Sequence, residues 1–108
     1  MKLHDILRTK GSDVIQIGPD RSVLDAVRTF SEHRIGALVV TVDSEIVGVV
    51  SERDVMNLMA DRPDGLETVA VSEIMTTDVI VAVPSDDLDY AMNIMTNNRI
   101  RHLPIVED

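Results

Sequence analysis

The chain has 108 residues, 44% of them hydrophobic, and a formal net charge of −9. That length suits one domain with a real core. No cysteine is present for a disulfide framework or thiol chemistry, and the acidic balance repels DNA or RNA at long range.

Leu3 to Arg8 reads as a short helical lead-in, broken at Lys10-Gly11-Ser12-Asp13. Val14 to Ile17 reads as a short strand stopped by Gly18-Pro19. Ser22 has the position of an N-cap, with Asp25 three residues on, and Val23, Ala26, Val27 and Phe30 fall on one helical face. Ala37 to Val42 is a near-continuous apolar strand, as burial on both faces demands. Asp43-Ser44-Glu45 turns the chain, and Ile46 to Val50 returns as a hairpin partner. Ser51-Glu52-Arg53-Asp54 opens a helix that carries Val55, Met56, Leu58 and Met59. The order is β-α-β-β-α, and Asp61-Arg62-Pro63-Asp64-Gly65 opens a linker.

The pattern then restarts. Pro19, Ala26, Arg34, Ile35, Leu38 and Asp43 align without a gap on Pro84, Ala91, Arg99, Ile100, Leu103 and Asp108, 65 positions later. Val71 to Met75 matches the lead-in helix, and Val79 to Ala82 the first strand. Leu88, Ala91, Met92 and Met95 repeat the helix face, and Leu103 to Val106 repeats Leu38 to Thr41. The fold class expected is α/β (α+β): two repeats packed about a pseudo-twofold axis, with a ligand cleft between them. Residues 1–62 form the first repeat, 63–70 the linker and 71–108 the second repeat. Positions matching Ile46 to Asp54 would be 111 to 119, so the second repeat is expected to lack its last strand and helix here; an open edge at Leu103 would be costly, so either the natural protein is longer or another chain supplies the cover.

Two segments carry candidate chemistry. In Gly48-Val49-Val50-Ser51-Glu52-Arg53-Asp54, Ser51 and Asp54 have capping-box spacing. The same helix tip offers free N–H groups to a phosphate, a Ser51 hydroxyl, an Arg53 charge, and an Asp54 carboxylate suited to neutral sugar hydroxyls. In Asn97-Asn98-Arg99-Ile100-Arg101-His102-Leu103-Pro104, the cations either complement a helix C-terminus or, with Arg99 and Arg101 alternating along a strand, clamp a phosphate. Met56, Met59, Met92 and Met95 sit at helical core spacing, and His4 and His33 read as surface residues. No metal-ligand spacing, Walker loop or GxGxxG occurs. A Ser51–His102–Asp54 triad is disfavoured, because Asp54 lies one helical turn after the serine. The chain is expected not to be an enzyme.

The ordered set of elements, present twice, resembles a tandem pair of CBS domains, named after cystathionine β-synthase. The strand pattern Arg99-Ile100-Arg101-His102-Leu103-Pro104-Ile105-Val106 and the Gly48-to-Asp54 run carry the resemblance. It implies a regulatory sensor for an adenosine-containing nucleotide such as AMP, ADP, ATP or an NAD-like molecule, bound between the repeats, with no cofactor required. Asp54 would hold the ribose and Ser51 the phosphate. Asp78, Val79 and Ile80 would line an adenine slot closed by Ile100, Leu103 and Pro104, and Arg99, Arg101 and His102 would neutralise phosphates. A mirror site at Val14, Ile15, Ile35 and Leu38 would want a Ser/Thr-x-x-Asp that the second repeat lacks. The resemblance also implies a homodimer, with Val55, Leu58 and Met59 as contacts or as internal core, and a regulated effector protein. A ligand-free dimerisation module is the alternative. No long apolar run follows the start, and no segment approaches the roughly 20 residues of a membrane span, so a cytoplasmic location without membrane partners is expected.

Overall fold

The computed structural model describes residues 1–10 and 14–106. The break expected at Gly11-Ser12-Asp13 lies outside the described residues, as does Asp108. The elements run α1 (Leu3–Lys10), β1 (Gln16–Ile17), α2 (Val23–His33), β2 (Ala37–Val42), β3 (Glu45–Ser51), α3 (Glu52–Asp61), α4 (Val71–Ile74) and α5 (Leu88–Asn97). The fold is mixed α+β. The chain forms two compact units, one of Ile15–Val79 and one of Met1–Val14 with Ile80–Asp108.

In the first unit the sheet order is β1-β2-β3. β1 pairs parallel with β2 across the α2 connection, and β2 pairs antiparallel with β3. Asp43 and Ser44, at φ 50° and 69°, form the two-residue hairpin turn. Positive φ at both positions matches the twist of the flanking strands. The face of Val23, Ala26 and Phe30 is buried against Leu38, Val40 and Val50, as its 3.6-residue period requires. Ser22 accepts from the Asp25 amide at 3.1 Å and so caps α2. The Arg21 guanidinium, 2.9 Å from the Asp25 carboxylate, holds that acid below its ordinary pKa.

The linker is ordered. The Leu66 and Val69 carbonyls accept from the amides of Leu24 and Val23. They satisfy donors that the first turn of a helix leaves open.

α4 is shorter than the expected Val71 to Met75. Thr76 leaves it to pair with Val49 on the outer edge of β3, through bonds of 3.0 and 2.9 Å. Gly48 permits this approach: a Cβ there would lie 2.6 Å from Met75 Sδ and 3.0 Å from the Thr76 carbonyl. Gly48→Ala is therefore expected to destabilise the chain by about 1–3 kcal/mol, read as a lower urea midpoint at unchanged slope.

In the second unit Leu3, Ala82 and Ala91 form the small core. α1 is held to residues late in the chain: Leu3 N–H donates to Asp86 O, His4 N–H to Pro84 O, and Leu88 N–H to Met1 O. The first unit repeats these bonds with Val71 to Arg21, Ser72 to Pro19 and Val23 to Val69. Each lead-in helix is thus bonded to the repeat it does not introduce, so the compact units cut across the repeat boundaries read from sequence. The Lys2 ammonium, 2.8 Å from Asp87, ties down the start of α1. It lowers the Asp87 pKa, and its own pKa is raised.

Three expected strands are shorter than the sequence pattern. Val14 to Ile17 is reduced to Gln16–Ile17, and Val79–Ala82 with Leu103–Val106 to the single parallel bridge Ala82–Ile105. Proline explains the second shortfall. In the first unit Val39 pairs with Gln16. Its counterpart 65 positions on is Pro104, which has no N–H to give.

Candidate functional site

The first unit carries Ser51, Arg53, Asp54, Asp78 and Val79. Ser51 ends β3 in an extended conformation and caps α3 with a closed capping box. Asp54 Oδ2 accepts from Ser51 N–H at 2.8 Å and Ser51 Oγ at 3.1 Å, and Ser51 Oγ accepts from Asp54 N–H at 3.4 Å. Glu52 N–H donates to Gly36 O at 3.0 Å. Most donors of this helix tip, the Ser51 hydroxyl included, are therefore engaged internally, which leaves the exposed Arg53 side chain for an anion. Asp54 keeps a second oxygen: Oδ1 has no protein partner among the described residues. The carboxylate caps with one oxygen and holds the lone pairs of the other open.

Thr76 delivers Asp78 and Val79. Its pairing with Val49 is antiparallel, so residues after Thr76 lie on the Val47 side of the bridge and Ser51 on the other. The chain turns tightly there, with Val79 N–H on Thr77 O at 2.9 Å. Asp78 is exposed and Val79 half-buried.

The second unit carries Ile80, Arg99, Ile100, Arg101, His102, Leu103 and Pro104. The three basic side chains are exposed and have no ion pair among the described residues. Ile80, Ile100, Leu103 and Pro104 are half-buried. The alternation expected to align Arg99 with Arg101 does not hold: Arg99 has φ 54°, and no strand begins there. Arg34, 65 positions earlier, has φ 55°. In both repeats the next amide reaches back to a helix carbonyl, Ile35 to Phe30 and Ile100 to Met95. Such a helix stop favours glycine. Arginine there costs about 1–2 kcal/mol of backbone strain in each copy.

His4 is half-buried, with Nε2 3.4 Å from Asp5 Oδ1, whereas His33 is exposed. Among the described residues no His, Asp or Glu cluster is arranged to hold a metal ion. Sequence reasoning did not find the open groove of about 560 Å³ between α2 and α3, bordered by Val27, Phe30, Arg34, Glu52 and Val55. Val55 and Leu58 belong to the core, while Met56 and Met59 are exposed. No single residue type announces this groove. It follows from how two helices meet.

The CBS domain family model matches residues 3–61 and 71–108. The chain is 31% identical over 115 residues to the mitochondrial CBS domain-containing protein CBSX3 of Arabidopsis thaliana, an alignment covering 98% of this chain and 56% of that protein. It thus spans about half the length of that curated relative. It is similar to a crystal structure of a CBS-domain-containing protein from Agrobacterium tumefaciens, with TM-score 0.95, 37% identity and coverage of 100% of this chain and 86% of that one. A CBS domain protein from Pyrobaculum aerophilum, solved in complex with AMP, shares the fold at TM-score 0.86 and 22% identity, covering 100% of this chain and 80% of that one. Two family matches over nearly the whole length, on elements that repeat at a fixed offset, show that the chain belongs to the CBS domain family.

Proposed function

We propose that the chain is a non-catalytic regulatory module that binds an adenosine-containing nucleotide. The observation that carries this reading is the open Oδ1 of Asp54 at a serine-capped helix tip. A carboxylate oxygen without a protein partner is an acceptor for the paired hydroxyls of a ribose. Arg53 supplies a charge beside it, and the Ser51 hydroxyl, which donates to Asp54 Oδ2 in the free chain, would turn from that carboxylate to reach a phosphate. The exposed Arg99, Arg101 and His102 are proposed to neutralise phosphate. Asp78, Val79, Ile80, Ile100, Leu103 and Pro104 are proposed to contact the base. The AMP complex of the Pyrobaculum aerophilum protein supports adenosine as the ligand class. Transmission of the binding event to an effector protein completes the proposal. No described helix is long and apolar enough to cross a membrane.

Thermal melting with AMP, ADP, ATP, NAD and S-adenosylmethionine tests it. A ligand at 100 times its dissociation constant adds about 2.7 kcal/mol, a rise of several degrees for a domain this size. A flat response to all five refutes the reading.

A ligand-free homodimerisation module is the second reading. The self-closed capping box favours it, as do the groove between α2 and α3 and the exposed Met56 and Met59. A melt that ignores nucleotides and rises with protein concentration would support it.

A further inference from the structure

We propose that Met75, seated on Gly48, is a positioning residue that fixes which base the site accepts. The proposal rests on the adenosine reading of the site and concerns Ser51, Asp54, Asp78 and Val79, which belong to one compact unit. The first ground is a glycine in mid-strand. Gly48 is buried in β3, and its φ lies outside the left-handed range, so backbone conformation does not require it. A glycine there weakens the strand and marks a close approach. What approaches is Met75: its Sδ and Cγ lie 2.6 and 2.9 Å from the place a Gly48 Cβ would occupy. The Thr76 carbonyl lies 3.0 Å from the same point.

Position along the chain is the second ground. Val49 N–H donates to Thr76 O and Thr76 N–H to Val49 O, a reciprocal antiparallel pair. Ser51 lies two residues beyond Val49 and Asp78 two beyond Thr76, on opposite sides of that pair. The pair therefore sets the spacing between the helix tip that carries Asp54 and the residues proposed to meet the base. A slip of one residue moves them by about 3.3 Å and turns alternate side chains to the other face. The exposed side chains of Thr76, Thr77 and Asp78 do not resist such a slip. α4 has four residues, too few to be stable without tertiary contacts. Met75 leaves it in an extended conformation, at φ −65° and ψ 152°, and packs against the main core. Its side chain anchors the segment one residue before the pair, and Gly48 supplies the seat.

Calorimetric titration of AMP, GMP and 2′-deoxy-AMP into the unmodified chain and into Met75→Ala tests it. The unmodified chain should prefer AMP to GMP. Met75→Ala should cut that preference roughly three- to tenfold, the worth of one hydrogen bond out of place. The ratio of AMP to 2′-deoxy-AMP affinity should hold, because Asp54 and its bonds lie beyond the pair. Met75→Leu, which conserves volume, should keep both ratios. Where Met75→Ala does not fold, Met75→Val carries the same test. Amide hydrogen exchange reads the joint without nucleotide: Thr76 should exchange faster in Met75→Ala, with Val50 unchanged. An AMP preference that survives Met75→Ala, one that falls in step with the 2′-deoxy ratio, or an unchanged Thr76 rate overturns the proposal. So does an unmodified chain that takes AMP and GMP alike, which leaves nucleotide binding itself standing. No binding of any nucleotide removes both.

Discussion

Leu38→Ala is expected to cost about 2–5 kcal/mol, the range for emptying a sealed core site. Leu38 is 1% exposed. It lies on the middle strand of the β1-β2-β3 sheet and packs within the main core. Its counterpart in the second repeat, Leu103, is only half-buried against a small cluster. Leu103→Ala should cost about 1–2 kcal/mol, because a partly open site leaves no closed cavity. Urea unfolding of both variants, analysed at a common slope, measures the difference. Equal losses would contradict the unequal packing of the two repeats. Since domains of this kind are held by about 5–15 kcal/mol in total, the Leu38 variant should also show a population of unfolded chain on mild heating.

Asp54→Ala is expected to weaken nucleotide binding about tenfold to a hundredfold. That is the effect of losing a charge-assisted hydrogen bond worth about 1.5–3 kcal/mol. The same change removes the acceptor for Ser51 N–H and Oγ. Loss of a cap costs about 1 kcal/mol, so the folded chain should survive. Asp54→Asn separates the two roles. It keeps an oxygen for the Ser51 amide while losing the charge, and should retain more stability than alanine with little recovery of binding. Unchanged affinity in both variants would reduce Asp54 to a cap.

Helices and the hairpin were legible because their signals are local. The spacing of Val23, Ala26 and Phe30 gave α2, the matching face at Leu88, Ala91 and Met95 gave α5, and Ser51 with Asp54 gave the start of α3. The pairing of the lead-in helices was not legible. Leu3 meets Asp86 through backbone groups that every residue carries, across most of the chain. Pro104 carries a local signal for the shortened strand, since it has no N–H, but it sits in an apolar run that has the pattern of a full strand. The left-handed backbone at Arg34 and Arg99 carried no signal at all, since glycine is the residue that marks such a stop. Within the candidate site the sequence located the cap and the cations. Which Asp54 oxygen stays open emerges only from the hydrogen bonds around it.

Calorimetric titration of AMP and of its 2′-deoxy counterpart into the unmodified chain tests the central claim most directly. Saturable binding of AMP, and distinctly weaker binding of the form that lacks one ribose hydroxyl, is the result expected of a carboxylate that reads the sugar. No heat of binding from AMP, ADP, ATP, NAD or S-adenosylmethionine would contradict the account and leave Ser51 and Asp54 as the closure of a helix.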